Sequence, residues 1–155
     1  MTNALVKVVK LKDQAILPDY QTEHSAGMDL HACIDDPIVL QPLERIMVPT
    51  GIVIELPTGY EAQIRARSGL SIKHGITMVN GIGTIDADYR GEVCALVINL
   101  SNEPFVIEPD MRIAQMVVCK YERISWQKVA ILNQTQRGDG GMGSTGTTLS
   151  IDETV

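Results

Sequence analysis

Apolar and polar positions alternate in short runs along most of this chain, and turn residues break the runs at close intervals. "ALVKVVKL", "MDLHACI", "PIVLQP", "ERIMVPTGIVIELP", "YEAQIRAR", "ITMVNGIGTI", "EVCALVINLS", "PFVIEP" and "RIAQMVVCKYERISWQKV" follow one another from residue 4 to residue 129. Many short strands at this spacing predict a β-sandwich or barrel. In "EAQIRAR" the period of two puts Ala62, Ile64 and Ala66 on one face and Gln63, Arg65 and Arg67 on the other, which gathers basic groups on a single side. One short helix is expected at "RSGLSIKHG", capped by Ser68 and stopped by Gly75. Asn80 and Gly81, between "ITMV" and "IGTI", carry the signal of a tight hairpin. From about Asn133 the periodicity stops, and "NQTQRGDGGMGSTGTTLS" reads as a flexible tail. The expected organisation is therefore one all-β domain over residues 1–132 and an arm over 133–155.

Composition sharpens this picture. The 155 residues suit a single domain, and hydrophobic residues make up 45% of them against 4% aromatic, so the core must be mainly Val, Ile, Leu, Met and Ala. A formal net charge of -6 argues against nucleic-acid backbones and anionic membranes as partners, so an anionic ligand would need locally gathered arginines. The three cysteines, Cys33, Cys94 and Cys119, lack paired spacing and read as core thiols of a reducing compartment. No apolar run is long enough for a membrane helix and no signal peptide is evident, so a cytoplasmic location is expected.

Three stretches could carry chemistry. "RARSGLSIKHG" would combine guanidinium forks, free backbone N–H groups and a hydroxyl, the donors that a phosphate needs; an exposed strand face with an ordinary cap is the alternative. In "NGIGTIDADYRGE", Asp86 and Asp88 would face the same way on a regular strand, as a cation pair or as a base with its partner, unless Asp88 merely organises a turn. The tail "RGDGGMGSTG" offers glycine N–H groups, Arg137, Ser144 and Thr145 to phosphate oxygens, yet it has no Walker A ending and could be a linker. His24, His31 and His74 lack metal-ligand spacing, Trp126 reads as core or interface, and Asp29 alone reads as a turn residue beside a strand.

Taken in order, "AGMDLHA" (26–32), "RARSGL" (65–70), "GTIDADYRGEV" (83–93), "RIAQMVV" (112–118) and "RGDGGMGSTG" (137–146) resemble the five motifs of the trimeric dUTP diphosphatases. The resemblance runs from about residue 5 to residue 146. It implies a jelly-roll β-barrel of the dUTPase type, assembled as a homotrimer with active sites between subunits, each completed by the glycine-rich arm of another subunit. It also implies Mg2+-dependent hydrolysis of dUTP to dUMP and diphosphate by water attack on the α-phosphorus, which keeps uracil out of DNA and supplies dUMP for thymidylate.

By the same resemblance Asp86 orients and deprotonates the water, Gln115 lies near the α-phosphate, and Ser68 stabilises the leaving diphosphate. Arg67, Ser68 and Gly69 form the phosphate segment, and Asp29 holds Mg2+ through its waters. Asn80 meets the uracil edge with the backbone of Gly83, Thr84 and Ile85, while Tyr89 packs on the deoxyribose. Arg137 meets the γ-phosphate, and Gly141, Met142, Gly143 and Ser144 complete the cradle. Arg112 either joins the arginines of this site or is structural. Two positions depart from the family pattern: Ile82 stands where proline is common, and Met142 where a phenylalanine usually covers the base. The dCTP deaminases, of the same fold, and a jelly-roll module without chemistry are the competing readings.

Overall fold

A computed structural model describes residues 4–142. The chain divides into a compact unit ending at Glu122 and a second unit from Arg123 onward. Eleven strands and one helix make up the first: β1 (Lys7–Lys10), β2 (Met28–His31), β3 (Ile38–Leu40), β4 (Arg45–Pro49), β5 (Ile52–Glu55), β6 (Tyr60–Arg65), α1 (Ser68–His74), β7 (Ile76–Met78), β8 (Gly83–Ile85), β9 (Cys94–Asn99), β10 (Phe105–Ile107) and β11 (Arg112–Lys120). All pairings are antiparallel, in a four-stranded sheet ordered β2-β11-β6-β8, a three-stranded sheet β4-β9-β7, and the pairs β1-β5 and β10-β3. This is the jelly-roll barrel expected from the strand spacing and the motifs.

The inward faces follow the period of two. β6 buries Ala62 and Ile64, β9 buries Ala95, Val97 and Asn99, and Leu30, Leu40, Ile52, Ile76, Ile107 and Ile113 close the interior. No aromatic side chain is among the fully buried ones described, and Phe105 packs at the margin with its ring centroid 5.2 Å from that of His74. Asn99 is the polar exception. Its Nδ2 donates to Leu40 O (3.0 Å) and Glu103 O (2.8 Å), and its Oδ1 accepts from the Ser101 N–H (2.9 Å) and hydroxyl (2.8 Å), so every group of the amide is paired.

Four local expectations need correction. Ser68 is the first helical residue and not the cap: Arg67 occupies that position, and no side-chain capping bond forms, while Gly75 does end the helix with φ 68°. Asn80 and Gly81 do make a turn, with Gly81 N–H on Met78 O, but β7 pairs with β9 and β8 with β6. The turn is thus a corner between two sheets and not a hairpin, because each flanking strand finds its ladder partner elsewhere. Asp86 and Asp88 do not share a strand face: β8 ends at Ile85, and the Tyr89 N–H closes a turn on Asp86 O. Finally, the last apolar run stops being strand at Lys120, so its remainder through Val129 forms no strand.

Candidate active site

Asp29 on β2 pairs in register with Gln115 on β11, which pairs with Arg65 on β6, so the sheet sets these three side by side. Between Arg112 and Ala114 the register of β11 against β2 slips, a bulge that re-aims Arg112 beside Asp29. The Asp29 carboxylate, almost buried, receives Arg67 Nε on one oxygen at 2.9 Å and an Arg112 terminal nitrogen on the other at 3.2 Å. A second Arg67 nitrogen donates to Arg112 O at 3.1 Å. Charge-assisted bonds of this kind hold both guanidinium planes in fixed orientations at the mouth of a pocket of about 350 Å³, lined also by Ser68, Gly69 and Gln115. Gln115 donates from Nε2 to Ala66 O at 2.9 Å, which leaves its Oε1 free as an acceptor. Arg65, by contrast, turns its guanidinium onto Gln63 and does not line the pocket.

Two arginines, a hydroxyl and an amide side chain thus line one polar hollow and offer the kinds of donor that an anion needs. Arg112 lines this pocket and also pairs with Asp29. Sequence reading missed Gln21, Ser25 and Gly27 on the pocket wall. Gly27 could have been suspected, since it lies inside "AGMDLHA"; Gln21 and Ser25 sit in a loop whose composition carries no signal. Next to the pocket, burial holds His31 below its ordinary range, and its Nδ1 has no partner.

A second pocket, of about 410 Å³, contains Thr84, Ile85, Asp86 and Tyr89 together with Met47, Glu92, Cys94 and Leu96. The four outer members come from β4 and from the chain entering and forming β9, so distance in sequence hid them. Asn80 and Gly83 are not on its wall; Asn80 is exposed, with its Nδ2 beside Gly83. Tyr89 donates its hydroxyl to Glu92 O at 3.2 Å, and Arg90 clips the turn by donating to Ala87 O and Tyr89 O, both at 2.8 Å.

The two pockets share no residue. Gln115 and Ile85 flank β6 opposite Arg65 and Ala62, three residues apart. Strand rise and spacing therefore separate their backbones by roughly 14 Å, and Asp86 lies one residue further on. Within a single chain Asp86 and Gln115 face different hollows.

In the second unit, Arg137 is exposed and donates from Nε to Gly140 O at 2.9 Å, and the exposed Met142 has φ 45°. Gly141 is likewise exposed, while Gly143 and Ser144 lie outside the described residues.

The residues fit magnesium only as an outer partner. Among the described residues no group of three His, Cys, Asp or Glu side chains could hold a metal directly, and both Asp29 oxygens already carry an arginine. Each of those oxygens keeps a second lone pair, enough for a metal-bound water.

Fold and pockets together define a jelly-roll barrel protein with an arginine-lined polar pocket. The dUTPase family profile matches residues 13–146. The deoxyuridine 5'-triphosphate nucleotidohydrolase of Rickettsia felis is 57% identical over 147 residues, covering 94% of this chain and 99% of that protein, and the Rickettsia conorii protein of the same name is 56% identical over equal shares. The chain belongs to the dUTPase family. Among solved structures, the dUTPase of Staphylococcus bacteriophage 80alpha, a G164S mutant with dUpNHpp, superposes with a TM-score of 0.80 at 23% identity, over 92% of this chain and 99% of that one. Its likeness extends the agreement to the fold. No helix among the described residues is long and apolar enough to cross a membrane.

Proposed function

We propose that this chain hydrolyses dUTP to dUMP and diphosphate, in sites formed where the Arg67–Ser68–Gln115 pocket of one copy meets the Asp86–Tyr89 pocket of another. One observation supports the shared site: the two groups of motif residues lie in separate hollows of the same chain, and a second copy would bring them to one substrate. A homotrimer closes this arrangement symmetrically, with three such junctions.

At each junction Asp86 accepts a proton from a water whose oxygen bonds to the α-phosphorus, and the bond from that phosphorus to the bridging oxygen breaks. Gln115 Oε1 accepts a hydrogen bond from that water, and the second N–H of its amide is free to donate to the α-phosphate. Ser68 and the guanidinium of Arg67 receive the charge that builds on the departing diphosphate, as preorganised donors do. Mg2+, when bound, supplies further neutralisation of the triphosphate, with Asp29 touching its waters. Tyr89 excludes a 2′-hydroxyl, and Asn80 with the backbone from Gly83 to Ile85 reads the uracil edge. The arm of another copy would add Arg137 to the γ-phosphate and cover the substrate with Gly141, Met142, Gly143 and Ser144. Such an activity keeps uracil from DNA and yields the precursor of thymidylate.

Diphosphate release measured over dUTP, dCTP, dTTP and UTP, with and without Mg2+, tests this. Turnover of dUTP alone is expected; equal turnover of all four, or ammonia from dCTP, overturns it. Asp86→Asn should fold, assemble and bind dUTP yet lose at least ~10²-fold in turnover. Near-normal turnover in that variant removes Asp86 from the mechanism.

A further inference from the structure

Gly91 follows the turn that carries Tyr89, and its backbone does not require glycine, since its φ lies outside the left-handed region. What requires glycine there is the ring. A Cβ at position 91 would lie 2.1 Å from the Tyr89 hydroxyl oxygen, 2.4 Å from Cζ and 2.9 Å from Cε2. Real carbon contacts begin near 3.5 Å, so a methyl group would displace the ring tip by more than 1 Å. The phenol rests directly on the Gly91 backbone.

Other bonds fix the bed on which it rests. The hydroxyl donates to Glu92 O at 3.2 Å, and the Glu92 carboxylate accepts the Gly51 N–H at 2.7 Å, which ties this segment to the start of β5. The next residue, Val93, donates its N–H to Ile52 O at 2.9 Å. The Tyr89 ring thus meets a backbone anchored at two neighbouring points, and its tip has no freedom toward the protein. Its other side faces the pocket that holds Asp86.

We propose that Gly91 is a positioning residue for sugar selectivity: by leaving its Cβ space empty it seats the Tyr89 ring at the depth that admits a deoxyribose and rejects a ribose. The inference rests on the function proposed above for Tyr89. It assigns a role to Gly91 that no chemistry of its own could supply.

Gly91→Ala is expected to lower the ratio of kcat/KM for dUTP over UTP at least ~10-fold, since misplacements of about 1 Å weigh heavily on reacting geometry. Thermal unfolding of the same protein should stay close to the parent, because the three nearest atoms that the methyl meets all belong to a half-exposed ring. In a Tyr89→Ala background the same substitution should leave the ratio unchanged. A parental ratio in Gly91→Ala, or an equal fall in both backgrounds, overturns the assignment. Nuclear Overhauser contacts between the Gly91 α-protons and the Tyr89 ring provide a readout independent of turnover. Their absence in the parent protein overturns the inference even if dUTP is hydrolysed, whereas their presence in a protein inactive on dUTP locates the failure in the proposed reaction.

Discussion

Arg67, two residues past the end of β6, donates from Nε to Asp29 Oδ1 on β2 at 2.9 Å, although β11 lies between those two strands in the sheet. Asp29 also holds Arg112, so one carboxylate sets the direction of both guanidinium groups at the anion pocket. Asp29→Asn keeps the shape but removes the charge, and it leaves one acceptor oxygen for two guanidinium groups, so at least one arginine loses its fixed orientation. KM for dUTP should rise more than kcat falls. Urea unfolding at fixed protein concentration should show a loss of about 2 kcal/mol, between the cost of an exposed and of a fully buried pair.

Gln115 depends on an empty space as well. A Cβ on Gly27 would stand 2.7 Å from Gln115 Oε1, so Gly27→Ala must push the amide away from the pocket or off the Ala66 carbonyl. A fall in kcat of ~10-fold or more is expected, at little change in stability. Steady-state kinetics beside a melting curve check it, and a variant with parental kcat would remove Gln115 Oε1 from the reaction.

Asn99 holds the buried Leu40 carbonyl and, nearer the surface, the Glu103 carbonyl and the Ser101 N–H. Asn99→Ala strands the Leu40 carbonyl and removes a partner from the other two, a cost of about 1–3 kcal/mol. The measurement is the urea midpoint; a shift below about 0.5 kcal/mol would mean that the loops repack around the gap.

Burial pushes the Cys94 thiol up to about 11 from an ordinary 9.0. At pH 8 its thiolate fraction is then roughly a hundred-fold below that of an ordinary thiol, and the thiolate is the species that reacts. Iodoacetamide should therefore label Cys94 in denaturant and spare it in the native protein, with native labelling rising about tenfold per pH unit up to pH 11. Peptide mass spectrometry reads both.

Met142 offers a polarisable thioether where a planar ring would cover the base. Met142→Phe should tighten dUTP binding or raise turnover, and truncation after Gln136 should leave assembly intact while turnover collapses. Identical kinetics in Met142→Phe would show that no ring is needed, and an unaffected truncation would remove the arm from catalysis.

Much of the barrel was legible because its strands obey a period of two: Ala62, Ile64, Ala95 and Val97 are buried where alternation puts them. That Arg67, Ser68 and Gly69 line one pocket was also legible, since they are contiguous. The hairpin expected at Asn80 and Gly81 failed for a reason that no local pattern contains. Turn residues specify that the chain reverses, but the ladder partner of each flanking strand is chosen by the whole sheet. Asp88 misled in the same way, because a spacing of two implies a shared face only while the strand continues.

The sequence by itself determined the strand periodicity, the aromatic-poor core and the chemical inventory of the motifs, because these depend on residue type and near neighbours. Only the tertiary structure decided that one carboxylate, Asp29, holds two arginines, that the Asp86 and Gln115 pockets lie apart on one chain, and that Gly27 and Gly91 serve as vacant space for Gln115 and Tyr89. Those are relations across strands. They arise from register, a bulge in β11 and the volume of side chains brought together from distant positions, none of which has a local signature.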